Sequence, residues 1–249
     1  MARPRAQPDA AVTIDGAPVR VFSGESLLAA ANRAGIPIPT LCAVQGLSVW
    51  GGCRVCVVEV AGDHTLRPAC ATTAVDGMEV TTGSDRLVEH RRQIVELLFA
   101  EGNHVCAVCV SNGACELQDL AVDLGVDHIR FAYQHPDRGV DLSHPRYGLD
   151  HNRCILCSRC VRTCAEIEGA NVWAIAARGA GSRLVAELDE PWGESTSCTS
   201  CGKCVAVCPT GALFDKGTGV GEMRHDRDVI GFLAAAREQG EWHDREQQP

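Results

Sequence analysis

Cys154-Ile155-Leu156-Cys157-Ser158-Arg159-Cys160-Val161-Arg162-Thr163-Cys164 is the most informative stretch of this chain. It returns as Cys198-Thr199-Ser200-Cys201-Gly202-Lys203-Cys204-Val205-Ala206-Val207-Cys208, followed by Pro209. Both copies have the spacing C-x2-C-x2-C-x3-C. One tight loop of this kind sets three thiolates on three corners of an iron–sulfur cubane, while the fourth Cys starts a helix and reaches a second cubane. One [4Fe-4S] cluster is therefore expected on Cys154, Cys157, Cys160 and Cys208, and another on Cys164, Cys198, Cys201 and Cys204. Zinc is the alternative for any four-Cys set, but this run occurring twice is an iron–sulfur pattern.

Upstream of the repeat, Cys42, Cys53, Cys56 and Cys70 form a second kind of group, with gaps of ten, two and thirteen residues. Plant-type [2Fe-2S] proteins have a shorter first gap and a longer last one, yet the plan is the same: a loop wraps the cluster and one distant Cys closes it. Gly51 and Gly52 suit that loop, because glycine lets backbone N–H groups approach sulfur closely. A zinc ribbon is the alternative. The middle group, Cys106, Cys109 and Cys115, supplies only three thiolates, so a [4Fe-4S] cluster here needs a non-Cys ligand. His104, two residues before Cys106, is the candidate. The fifteen cysteines and His104 then fill four clusters with none left over. No thiol remains for nucleophilic catalysis, and no catalytic residue is assigned.

Composition narrows the function classes. A net charge of −9 opposes binding to a phosphate backbone, which favours a basic surface; no nucleic-acid partner is expected. Aromatics make up only 4% of the chain, so folding energy is expected to come from bound metal. Arg3 and Arg5 are followed by no apolar run of the secretory kind, and no stretch approaches the roughly 18 apolar residues of a membrane span. A cytoplasmic protein is expected, where clustered Cys more often bind metal than form disulfides. No G-x-G-x-x-G or G-x-x-x-x-G-K-[ST] motif occurs; Gly217-Thr218-Gly219-Val220-Gly221 has the wrong spacing and is expected to be a flexible tail. No nucleotide or flavin site is therefore assigned. His64, His90, His128, His135, His144, His151, His225 and His243 show no metal-like pairing and are expected at the surface or in linkers. Arg54, Arg153, Arg159, Arg162 and Lys203 adjoin cluster cysteines, where each either raises a cluster potential or is simply solvated.

Local patterns give the elements. Asp15-Gly16 between two β-branched runs predicts a hairpin. A short helix is expected over 26–34, stopped by Gly35, with strands over 55–60 and 78–82. Leu87, Val88, Ile94, Val95, Leu98 and Phe99 make a helical stripe over 85–100. Further helices are expected over 116–124 and 228–237, and a strand over 183–188. The last helix either packs on its own protein or docks a partner subunit. The fold class is α+β. It comprises an N-terminal β-grasp [2Fe-2S] ferredoxin-like domain (1–83), then a small helical domain (84–129) binding a [4Fe-4S] cluster through one His and three Cys. A linker (130–150), a two-[4Fe-4S] bacterial ferredoxin-like domain (151–220) and a C-terminal tail or docking helix (221–249) follow.

Three sets of residues carry a family resemblance: Cys42/Cys53/Cys56/Cys70, the stretch from Asn103-His104-Val105-Cys106 to Cys115-Glu116-Leu117-Gln118, and the paired runs ending in Cys208-Pro209-Thr210-Gly211. In this order the chain resembles the small diaphorase subunit of NAD-reducing nickel–iron hydrogenases. It is also similar to the start of the large iron–sulfur subunit of respiratory NADH dehydrogenase and of iron-only hydrogenases. Those relatives usually place the ligating His four residues before the first Cys, where this chain has Gly102. The resemblance implies an electron relay through one [2Fe-2S] and three [4Fe-4S] clusters, between hydrogenase subunits and a flavin/NAD-binding diaphorase subunit. The same relay in another NAD-linked enzyme, such as a formate dehydrogenase, is the alternative; a zinc-stabilised interaction scaffold is the third reading.

Overall fold

The computed structural model describes residues 10–239; residues 1–9 and 240–249, and with them the end of the expected C-terminal tail, lie outside the described residues. The chain packs as two compact units, one of residues up to 41 together with 49–94, the other of 42–48 together with 95 onward.

The first unit is built on a five-stranded sheet in the order β2-β1-β5-β3-β4. β1 (Ala10–Ile14) and β2 (Ala17–Val21) form the expected hairpin. Asp15 and Gly16 both have positive φ, 48° and 82°, as a two-residue turn matched to strand twist requires. β1 then pairs in parallel with β5 (Glu79–Thr81), which is antiparallel to β3 (Val57–Val60); β4 (Arg67–Pro68) closes the edge. Alternation decides the faces: Val12, Ile14, Val19, Val21 and Val80 point inward and are almost fully buried. They pack with Leu27, Ala30 and Ala31 of α1 (Leu27–Arg33), whose N-terminus is capped by the Ser26 hydroxyl accepting from Ala29 N–H at 3.2 Å. α2 (Asp85–Glu101) follows. Its Arg91 is buried, and the guanidinium donates to the carbonyls of Val55 (3.1 Å) and Val57 (2.9 Å), tying the helix to the strand that follows Cys53.

The second unit carries α3 (Glu116–Asp123), a three-stranded sheet of β6 (Val140–Asp141), β7 (Tyr147–Asp150) and β10 (Leu213–Asp215), and the β8 (Trp173–Ala176)–β9 (Arg183–Ala186) hairpin. Two short helices, α4 (Arg159–Arg162) and α5 (Lys203–Ala206), occupy equivalent places in the repeat. Residues 130–150, expected as a linker, thus hold two strands, and β7 is buried throughout. The sheet pairs β7 with β10, residues far apart in sequence, so local pattern gave no cue to either strand.

Gly217–Gly221, expected as a flexible tail, leads into a docked segment: Gly221 N–H donates to the Cys109 carbonyl (3.1 Å) and Met223 N–H to that of Val110 (2.9 Å). α6 (Val229–Gln239) packs on its own protein. Ile230 is fully buried, and the helix lies so close to the 42–48 segment that a Cβ on Gly46 would be 2.5 Å from that of Ala234. Among the described residues, no helix is long and apolar enough to cross a membrane.

Candidate metal centres

Cys53, Cys56 and Cys70 lie in the first unit. Cys56 and Cys70 are buried, and the Cys56 thiol is pushed up by its hydrogen bond to Cys70 and by burial. Gly51 (φ 67°) and Arg54 (φ 57°) turn the loop through the left-handed region on either side of Cys53. Cys42 is placed in the 42–48 segment of the second unit and is fully buried. Arg162 fixes this segment, donating to the carbonyls of Cys42 and Ser48, both at 2.5 Å. Glu166 accepts from the Ser48 backbone N–H at 2.7 Å.

In the second unit, His104, Cys106, Cys109 and Cys115 line one cavity with Gln118, Arg153, Thr210 and Gly211. Burial pushes the Cys115 thiol up to about 11 and raises Cys106. The His104 imidazole is held down, to about 4, chiefly by burial and then by the charges of Arg153 and Arg138. It is therefore neutral. Its ring hydrogen bond goes to the backbone of Leu98, while Nε2 is buried and without a partner. A ring with one N–H committed to a carbonyl and a free lone pair on the other nitrogen is the usual state of a metal-ligating histidine.

A second cavity is lined by Cys154, Cys157, Cys160 and Cys208 among Ile155, Leu156 and other apolar residues. Burial drives Cys154 up to about 11, Cys157 to about 12 and Cys160 well above its usual value. A third cavity holds Cys164, Cys198, Cys201 and Cys204 beside Tyr147, Trp173, Trp192 and Lys203, with Cys204 raised to about 12, again chiefly by burial. Thus Cys208 lines the cavity of the first run and Cys164 that of the second. The two loops share a backbone: Leu156 (φ 51°) and Ser158 (φ 62°) in one correspond to Ser200 (φ 57°) and Gly202 (φ 73°) in the other. For residues other than glycine that conformation costs about 1–2 kcal/mol, which a ring of thiolates drawn onto a cluster can offset.

The donor set fits iron–sulfur clusters. None of the fifteen cysteines is in a disulfide. Buried thiols with raised pKa values keep their protons unless a positive centre displaces them, which is what bound metal does. A Cβ on Gly211 would lie 2.6 Å from Cys109 Sγ, so the chain closes over that thiol without a side chain.

Several side chains around the rings were not legible in the sequence. His144, expected at the surface or in a linker, is 3% exposed, stacked on Tyr147 with centroids at 4.9 Å and tilted against Trp192 at 4.6 Å. Arg159 and Arg162, for which a solvated place was an open alternative, are buried. Arg159 makes a bidentate pair with Glu116 at 2.6 and 2.7 Å. The paired orientation of Glu116, next to Cys115, and Arg159, next to Cys160, had no signal in spacing or composition.

Three family models match the chain: the 2Fe-2S iron–sulfur cluster binding domain over residues 8–85, the NADH-ubiquinone oxidoreductase-G iron–sulfur binding region over 91–130, and the ferredoxin-like domain of NADH-quinone oxidoreductase subunit 3 over 145–214. The chain is 40% identical over 208 residues to the G 2 subunit of the NADH-quinone oxidoreductase of Rhizobium meliloti, covering 82% of this chain and 24% of that protein. It is 40% identical over 215 residues to the HndD subunit of the NADP-reducing hydrogenase of Solidesulfovibrio fructosivorans, covering 82% of this chain and 36% of that one. It therefore spans only part of the length of these relatives. The match is nearly end to end with the gamma subunit of the NAD-reducing hydrogenase HoxS of Cupriavidus necator, at 35% identity over 209 residues, 84% of this chain and 88% of that relative. A chain in a crystal structure of an NAD+-reducing [NiFe]-hydrogenase in the H2-reduced state superposes with a TM-score of 0.82 and 36% identity, covering 91% of this chain and 96% of that one. The protein belongs to the family of the HoxS gamma subunit and the N-terminal region of the NADH dehydrogenase G subunit, the iron–sulfur electron-transfer subunits of NAD-linked hydrogenases and NADH dehydrogenases.

Proposed function

We propose that this chain relays electrons between hydrogenase subunits and a flavin/NAD-binding diaphorase subunit, through one [2Fe-2S] and three [4Fe-4S] clusters. The [2Fe-2S] cluster is held by Cys42, Cys53, Cys56 and Cys70 in a β-grasp-like domain. The [4Fe-4S] clusters are held by His104, Cys106, Cys109 and Cys115; by Cys154, Cys157, Cys160 and Cys208; and by Cys164, Cys198, Cys201 and Cys204. The observation that carries this reading is that each expected [4Fe-4S] ligand set lines one cavity of its own. When bound, the clusters supply one-electron chemistry; the chain's part is to hold them, keep water from most of the thiolates and set their potentials by N–H donors and charge. Fifteen cysteines, clustered and outside disulfides, suit a reducing compartment, and we place the protein in the cytoplasm. Of the domain limits read from the sequence we keep 1–83, 84–129 and 221–249, and extend the ferredoxin-like domain (151–220) back over the linker segment to take in β6 and β7, which share a sheet with β10.

Isolation of the native complex tests the partners. A diaphorase and hydrogenase subunits should co-purify; a formate dehydrogenase catalytic subunit in their place would move the relay to the alternative enzyme. Zinc in place of iron would leave only a scaffold.

A further inference from the structure

The two cubane sites arise from one repeated sequence pattern, yet their surroundings differ. The thiols of the first ring take backbone donors: Leu156 N–H at Cys154 and Arg159 N–H at Cys157. Thr210 Oγ1 lies 3.8 Å from Cys208 Sγ, but its proton is directed to the Arg153 carbonyl at 2.7 Å. The second ring has backbone donors too, with Val172 N–H 3.3 Å from Cys164 Sγ. In addition it has side-chain donors. The Trp192 indole Nε1–H points at Cys198 Sγ at 3.4 Å, and the Trp173 indole donates to Cys204. His144 lies beside them but spends its proton elsewhere: Nδ1 accepts from the backbone N–H groups of Arg146 and Tyr147, both at 3.1 Å, so the proton sits on Nε2 and is directed to Ser200 Oγ at 3.1 Å, with Cys198 Sγ at 3.9 Å.

These donors are fixed in advance. Trp192 is 1% exposed, its backbone N–H is held by Asp141 at 2.7 Å, and its ring is wedged against Trp173 with centroids at 4.7 Å. Exposure differs in the same sense at one thiol: each ring has a half-buried Cys, Cys154 and Cys198, but Cys201 of the second ring is exposed whereas the other three of the first, Cys157, Cys160 and Cys208, are buried. Arg159 is paired with Glu116 (shared with Arg227), Arg153 with Asp150 and Lys203 with Glu168, while Arg162 follows Cys160 of one ring and precedes Cys164 of the other, so these cations do not single out either ring. Glu168, near Cys201, is further engaged by the Thr199 hydroxyl at 2.7 Å.

N–H donors to cluster sulfur and exposure to water both favour the reduced, more negative state. We propose that the cubane on Cys164, Cys198, Cys201 and Cys204 has the higher reduction potential of the two, set by the indoles of Trp192 and Trp173. One electron shared between the cubanes then rests on that second ring, with no bond or proton changing place. This inference rests on the relay reading, since it needs clusters at both sites.

Redox titration of the anaerobically isolated full chain, followed by EPR, tests it. The two cubanes should titrate in separate steps. Trp192→Phe keeps the ring and removes the donor, so the higher step should move down. A hydrogen bond to a charged group sets the scale: at fixed poise the reduced-to-oxidised ratio should fall about tenfold, or 59 mV for one electron. Trp173→Phe should move the same step in the same direction, which keeps the test open if Trp192→Phe does not fold. The proposal is overturned if the folded, iron-loaded indole variants leave that step in place, or if the lower step moves instead. Wild-type protein that holds zinc, or lacks two titrating cubanes, would sink the relay reading itself before any variant is compared.

Discussion

The imidazole of His104 fills the space that a side chain at position 102 would need: a Cβ built on Gly102 would lie 2.6 Å from His104 Nε2. The resembling proteins usually have a histidine at the position of Gly102; here the His104 ring lies against Gly102, and glycine makes room for it. On the far side, that Cβ would also meet the Asn152 carbonyl at 2.8 Å. Gly102→Ala should therefore displace the ring, giving a labile middle cluster in an otherwise folded chain. His104→Ala should do the same or lose one iron, whereas His104→Cys should keep the cluster at a lower potential, because a thiolate adds negative charge. Iron analysis and the EPR signal of this cluster are the readout; an unchanged signal in His104→Ala would assign the fourth ligand elsewhere.

Anaerobically isolated chain should carry about 14 irons, from one [2Fe-2S] and three [4Fe-4S] clusters. It should not reduce dyes with NADH by itself. Metal analysis and a dye assay on the flavin-free protein check both points.

Cys208→Ser should damage the cluster of Cys154, Cys157 and Cys160, although Cys208 belongs to the other run; Cys164→Ser should damage that of Cys198, Cys201 and Cys204. EPR of the two variants should show complementary losses. Loss of the same-run cluster in either case would reverse the assignment.

Glu116 and Arg159 should be coupled strongly. Arg159 is 3% exposed along its side chain, so Glu116→Gln leaves a buried guanidinium short of its counter-charge. Breaking a buried pair in this way typically costs about 3–5 kcal/mol. Thermal unfolding of the loaded protein should show a clear fall in Tm, and the double variant Glu116→Gln/Arg159→Met should recover part of it.

Stability should fall on acidification below about pH 6.5, the ordinary histidine value. His225 Nδ1 lies 2.9 Å from the Val205 carbonyl and Nε2 lies 3.0 Å from the hydroxyl of the fully buried Ser111, an arrangement that uses the neutral ring. Burial, first, and the Arg227 charge hold its pKa below the usual value. The unfolded chain therefore takes up a proton that the folded chain refuses, so stability rises with pH through this window and is lost as pH falls. Denaturant titrations at pH 7.5 and 5.5 should show the loss, and His225→Gln should reduce the difference between them.

The cluster-binding character of the protein was legible in the amino-acid sequence alone, because Cys-x2-Cys-x2-Cys-x3-Cys is a local constraint: a single loop must place three thiols around one hollow whatever surrounds it. The Asp15-Gly16 hairpin and the helices at Ser26, Asp85 and Glu116 were legible for the same reason, since turn dipeptide, cap and apolar stripe act within a few residues. What lies behind the thiols was settled by tertiary packing. The β7–β10 pairing, the packing of His144 against Trp192, the Arg159–Glu116 bridge and the hold of Arg162 on the Cys42 carbonyl all join residues distant in sequence. Such contacts follow from which surfaces pack together and leave no period or spacing to read. The repeat therefore made the two cubane loops look alike, while packing gave indole donors to one of them.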